Sequence, residues 1–241
     1  RSPRYRLEVL PPDAWAGHVA DRLVERLTAR PTLRICLPTG DTPTPLYDAL
    51  VGRGAPFGGA EVLLLDEYLG LSEDDPARAG ERLRRELIDR LADPPAAYHP
   101  IDLAGPPDQA AGRHDVLAAA GLDLTLVGIG RNGHVGFNEP GSDADSETRV
   151  VALAAESRQV AEAYGASEGP RSGITLGLRR LLESAEIWLL ATGRSKAEIL
   201  ARALEGPETP QVPASFLRRH HRLTVLADEA AATRLTGRPS S

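Results

Sequence analysis

Five short runs dominated by apolar residues, with no sustained alternation, recur along the chain: LRICLP (33–38), EVLLLD (61–66), LDLTLVG (122–128), EIWLLATG (186–193) and RLTVLAD (222–228). A strand with one wet face alternates apolar and polar side chains, so runs of this kind belong to strands covered on both faces. Helical patterns separate them. Trp15, Val19, Leu23 and Leu27 recur every fourth position within 12–29, and PTPLYDAL (43–50) places proline where a first helical turn accepts it. Residues 76–92 put Leu83, Leu87, Ile88 and Leu91 on one face and arginines on the other. Further helices are expected at about 107–120, at 156–164, and over SKAEILARALEG with Gly206 as C-cap. TRVVALA reads as another strand, ITLG (174–177) precedes a helical stretch, and a short helix should follow the last strand.

Alternation of buried strands with helices predicts an α/β fold: a single three-layer α/β/α domain over residues 1–241, built on a mostly parallel open sheet. Gly and Pro cluster at 52–59, 93–107 and 205–213, which read as surface loops too short to divide domains. A formal charge of −6 carries no nucleic-acid footprint, and no polybasic block or 18-residue apolar run points to a membrane. The only cysteine, Cys36, lies in an apolar run and reads as a small buried hydrophobe in a reducing compartment, so a cytoplasmic location is expected. The histidines at 18, 99, 114, 220 and 221 lack metal-ligand spacing, and His220-His221 beside Arg218-Arg219 reads as a solvated helix end. No metal is expected. Only one of the 28 lysines and arginines is a lysine, Lys196.

Ligands of an open parallel sheet bind at the C-terminal ends of its strands. Four strand ends here run directly into polar or glycine-rich residues: Thr39-Gly40-Asp41-Thr42, Asp66-Glu67-Tyr68, GIGRNGHVGFNEP (128–140) and Gly193-Arg194-Ser195-Lys196. All four should face one edge. Thr39–Thr42 reads either as an anion-binding turn or as a plain strand-to-helix turn with a threonine cap. Lys196 falls in the first turn of its helix, where the macrodipole disfavours a cation unless an anion is bound. Asp66 ends an apolar run, and partial burial there raises a carboxyl towards the range of a general base; Glu67 reads equally as catalytic or structural.

The 128–140 segment begins as Gly-x-Gly-x-x-Gly, yet Gly136 and Pro140 oppose the helix that a dinucleotide turn needs. Gly130 and Gly133 therefore read as positions of close backbone approach to a ligand. His134 and Glu139 form a titratable pair, His134 for proton transfer and Glu139 to orient it.

Taken together, LPTGDTPTPLY, LLLDEYLGL, GIGRNGHVGFNEP with its trailing S-x-T-R (146–149), ITLG and GRSKAEIL resemble the glucosamine-6-phosphate deaminase family, over about residues 33–206. The GHxxFNEP portion separates that group from the related 6-phosphogluconolactonases. The resemblance implies a cofactor-free aldose–ketose isomerisation of a phosphorylated amino sugar, with ammonia released when the amine is on C2. It implies that Thr39, Gly40, Asp41, Thr42 and Lys196 hold the phosphate and that Asp66 shuttles a proton between C2 and C1. On the same pattern His134, oriented by Glu139 and flanked by Asn132, assists ring opening; Glu67, Gly130 and Gly133 complete the substrate site.

This chain departs from the family pattern at Asn132, usually Asp, and at Asp41, usually the second glycine of T-G-G-T. Ala163 and Tyr164 stand where a second phosphate-binding arginine is expected, and Asp143, Glu147 and Val151 replace the residues of an effector site. The departures admit a non-deaminating isomerase of a 3-amino-3-deoxyhexose 6-phosphate, resembling kanosamine 6-phosphate, with Asp41 pairing with the amine. A sugar-phosphate lactonase using His134 and a non-catalytic sugar-phosphate sensor are the other readings. All are compatible with a homo-oligomer.

Overall fold

The computed structural model describes residues 5–167 and 169–237. Its elements, in chain order, are β1 (Tyr5–Leu10), α1 (Pro12–Ala29), β2 (Arg34–Leu37), α2 (Pro43–Gly52), β3 (Glu61–Leu64), β4 (Asp66–Tyr68) and α3 (Ala79–Glu86). Then come β5 (Ala97–His99), α4 (Pro107–Ala119), β6 (Leu124–Gly128), β7 (Arg149–Ala152), α5 (Ala155–Ala163) and β8 (Ser172–Thr175). The chain closes with α6 (Leu178–Leu182), β9 (Ile187–Ala191), α7 (Ala197–Glu205) and β10 (Leu223–Asp228).

Seven strands form a parallel sheet in the order β1-β10-β9-β6-β2-β3-β5. Side chains alternate between its faces, and each face has its own helices. Ile35, Leu37, Val62, Leu64, Trp188 and Leu190 pack towards α1, α2 and α3. Cys36, Leu63, Val127, Ile187 and Leu189 pack towards α6 and α7. Covering both faces is what an unbroken apolar run requires, and each fully buried Leu or Ile contributes about 1.5–3 kcal/mol. The predicted α/β layering is the observed one.

From β2 the chain winds through β3 to β5, whereas from β6 it winds the other way, through β9 to β10. The crevice between the ends of β2 and β6 is thus where connections diverge and a ligand has room.

Several expectations are corrected. A second sheet, three antiparallel strands in the order β4-β8-β7, stands at the mouth of the first. β4 leaves β3 after one residue, Leu65, and is too short to show a period. β1 and β5 also escape detection: β1 is an edge strand with partly exposed side chains, and β5 has three residues. The helix expected over 76–92 is α3 followed by a 3-10 turn at Ile88–Arg90. Gly206 does cap α7, but with φ −79°, not in the left-handed region. Residues 229–234 form turns instead of a helix. His220 is buried, bonded through Nε2 to the Ser184 carbonyl at 2.7 Å and stacked on His221, so it is no solvated helix end.

Candidate active site

A cavity of about 500 Å³ opens at the ends of β2, β3, β6 and β9. Thr39, Gly40, Asp41, Thr42, Asp66, Gly130, His134 and Lys196 all line it. Parallel strands end on the same side, so residues scattered from 39 to 196 arrive together without further design.

One end suits an anion. Gly40 turns the chain at φ +133°, a value open to glycine, and α2 begins just after, at Pro43. Among the described residues, no protein acceptor takes the N–H of Thr39, Gly40 or Asp41. Lys196 ends a 3-10 turn that leads into α7, so it precedes the helix instead of lying in its first turn. Its Nζ donates to the Ile129 carbonyl at 2.7 Å, which aims the ammonium across the cavity between β6 and β9. Burial lowers its pKa, helped by Arg131 and opposed by Glu156 and Asp41. A dianion facing Lys196 would restore what burial removes.

The other end holds the titratable groups. Asp66 is only 8% exposed, and burial, then the charges of Glu67 and Glu139, push its carboxyl up to about 8. A carboxyl in that range gives or takes a proton near neutral pH. Tyr68 and Phe137, ring centroids 4.9 Å apart, wall it in.

His134 is held by contacts within its own loop. Its Nδ1 lies 3.4 Å from Glu139 Oε2, an ion-pair distance, and that oxygen accepts a hydrogen bond from Asn132 Nδ2 at 3.0 Å. Asn132 Oδ1 accepts the His134 backbone N–H at 3.1 Å. Ser157 Oγ and the Ala154 N–H donate to the other Glu139 oxygen. Burial acts to raise the Glu139 carboxyl, but His134, Ser157 and Asn132 outweigh it and the net shift is downward. Glu139 therefore stays an anion behind the imidazole, and with Asn132 it supports the site from outside the cavity. Gly130 has a steric reason: a Cβ there would lie 2.3 Å from the His134 ring.

Two expected substrate contacts are corrected. Glu67 is fully buried and accepts the N–H groups of Tyr68, Ala79 and Gly80, each at 2.8 Å, with Arg78 3.6 Å away. It caps α3, since the first N–H groups of a helix have no partner of their own, and it faces away from the cavity. Gly133, at φ +89°, packs on Val212 and Ile199 and lies outside the cavity lining.

Other residues emerge only in three dimensions. Asn138 donates to the carbonyls of Val135 and Leu176 and accepts from Arg149, tying the loop to the second sheet. Tyr164 lines the cavity, and the Arg82 guanidinium lies 3.7 Å from its ring centroid. The arginines of α3 were expected on an outer face, yet Arg82 is 7% exposed. No periodic signal marks an inward arginine.

Residues 12–226 match the model of the family described as glucosamine-6-phosphate isomerases/6-phosphogluconolactonase. The chain belongs to this family. Among its relatives, the glucosamine-6-phosphate deaminase of Rhodopirellula baltica is 39% identical over 242 residues, 96% of each chain. That of Streptomyces coelicolor is 36% identical, covering 94% of this chain and 92% of its own. A solved structure described as a monomeric glucosamine-6-phosphate deaminase superposes with a TM-score of 0.89 at 31% identity, covering 95% of this chain and 99% of its own. The 6-phosphogluconolactonase of Thermotoga maritima shares the family fold, with a TM-score of 0.76 at 21% identity over 93% of this chain and all of its own.

Proposed function

We propose that this enzyme converts glucosamine 6-phosphate and water into fructose 6-phosphate and ammonia. The observation that carries the reading is Asp66, a buried carboxyl near pKa 8 in the same cavity as His134 and the Lys196–Thr39 anion end. Deaminase relatives aligned over nearly the whole chain support it.

The phosphate sits between the 39–42 turn and Lys196, placing the sugar ring across the cavity. His134 moves a proton at the ring oxygen, opening the sugar to its aldehyde. Asp66 removes the C2 proton while the C1 oxygen gains one, which gives an enolamine; Asp66 then returns a proton to C1. The C2 imine that results takes up water and expels ammonia. A substrate ammonium beside Asp66 favours its ionised form, so binding prepares the base. Asp41 lies 3.7 Å from Arg82 and so has a cation within the protein, which weakens the case that it awaits a 3-amino group.

The test measures ammonia and fructose 6-phosphate from glucosamine 6-phosphate, beside a 3-amino hexose phosphate and 6-phosphogluconolactone. Equal amounts of the two products are expected. Turnover of either other compound in preference, or of none, overturns the proposal.

A further inference from the structure

Arg82 shows a pattern of contacts unlike that of a surface arginine. Its Nε donates to Glu86 Oε1 at 2.6 Å, Nη2 donates to Thr44 Oγ1 at 3.3 Å, and Nη2 also lies 3.7 Å from Asp41 Oδ1. Nη1 is buried and finds no acceptor among the described residues. Tyr164 stacks over the guanidinium at 3.7 Å and Arg82 is buried, while the Asp41 carboxylate it faces is exposed to solvent. Thr44 belongs to the first turn of α2, and Asp41 to the turn before it.

The 39–42 turn therefore has a carboxylate within it and a buried cation behind it. Asp41 alone would repel a phosphate dianion brought to the N–H groups of Thr39 and Gly40. Glu86 adds a second negative charge nearby. Resting on the reading of this turn as the phosphate site, we propose that Arg82 is the counter-ion that allows an aspartate to occupy it. Arg82 acts through Asp41 and Tyr164, which line the cavity, and is thus a positioning residue that sets affinity for the phosphate group. It brings from α3 a positive charge to the 39–42 side of the cavity, which Ala163 and Tyr164 do not supply.

The test is a charge cycle, read as the Kd of inorganic phosphate by calorimetry, with kcat and KM for glucosamine 6-phosphate alongside. Arg82→Gln should weaken phosphate and raise KM by about tenfold each, with kcat within about twofold. Asp41→Asn, at an exposed side chain, should tighten phosphate by about threefold or more. Once Asp41 is neutral, adding Arg82→Gln should cost less than about threefold. An equal penalty for Arg82→Gln with and without Asp41, or no gain in affinity from Asp41→Asn, overturns the inference. Asp41→Asn carries the test alone if Arg82→Gln does not fold. Charge-dependent phosphate binding without deamination would uphold this inference and sink the proposed reaction; deamination with charge-independent binding would do the reverse.

Discussion

Asp66 is a carboxyl whose folded pKa, about 8, stands well above its ordinary value near 3.8. The folded protein thus holds a proton that the unfolded chain has released between about pH 4 and 8. Stability drains away as pH rises through that window. Asp66→Asn removes the effect, so the gain in Tm from this substitution should grow between pH 5 and 8. A constant gain, or a larger one at pH 5, would show that the carboxyl is not perturbed in this sense. The same substitution should cut deamination by at least about 10²-fold, because the amide cannot take the C2 proton. In the unmodified enzyme, kcat/KM should climb with pH towards 8 as the base form of Asp66 accumulates. Solvent deuterium entering C1 of the product follows the proton directly, and normal incorporation in Asp66→Asn would assign the transfer elsewhere.

At the scale of elements, two short pieces set the geometry. β4 bends from β3 and delivers Asp66 to the cavity while turning Glu67 into the start of α3. Burial pushes the Glu67 carboxyl upward even though three backbone N–H groups and Arg78 pull against it. Glu67→Ala leaves those donors unpaired and should destabilise the fold by roughly 3–5 kcal/mol in urea unfolding, before any question of catalysis. A change under about 1 kcal/mol would mean that water replaces the carboxylate cheaply. The loop after β6 is the second piece. Gly130→Ala drives a methyl into the His134 imidazole, which must then leave Glu139. The expected signature is a fall in kcat by about tenfold or more, with phosphate affinity retained because the 39–42 turn is untouched. Loss of both together would show that the loop and the turn move as one.

Across the whole molecule, the three residues at which the family resemblance implies no effector site, Asp143, Glu147 and Val151, are engaged in structure. Glu147 pairs with Arg179 at 3.2 Å, Val151 pairs with Gly173 in the second sheet, and the Asp143 backbone N–H donates to Ser146 Oγ. A carboxylate at two of these three positions disfavours a second phosphate. Saturation by glucosamine 6-phosphate should therefore be hyperbolic, and N-acetylglucosamine 6-phosphate should not change it. A sigmoidal curve that this compound straightens would contradict the expectation.

The sequence by itself determined the parallel sheet, because strands covered on both faces leave an unbroken apolar signature that no distant contact can supply. From parallelism followed the shared edge, and so the meeting of Thr39–Thr42, Asp66, His134 and Lys196 in one cavity. Tertiary structure decided what short segments and single polar residues do. In the β4-β8-β7 sheet the pairing of β4 with β8 joins segments about a hundred residues apart, so no local pattern announces it. Glu67 and Asp66 are neighbours with the same chemistry; only the arrival of α3 turns one into a cap and leaves the other facing the cavity. Gly133 kept the spacing of a ligand loop but packs on Val212. Arg82 gave no signal because, beyond Glu86 on its own helix, its partners Asp41, Thr44 and Tyr164 come from the turn before α2, from α2 and from the end of α5, and the charge on a side chain says nothing of which neighbours the fold will bring to it.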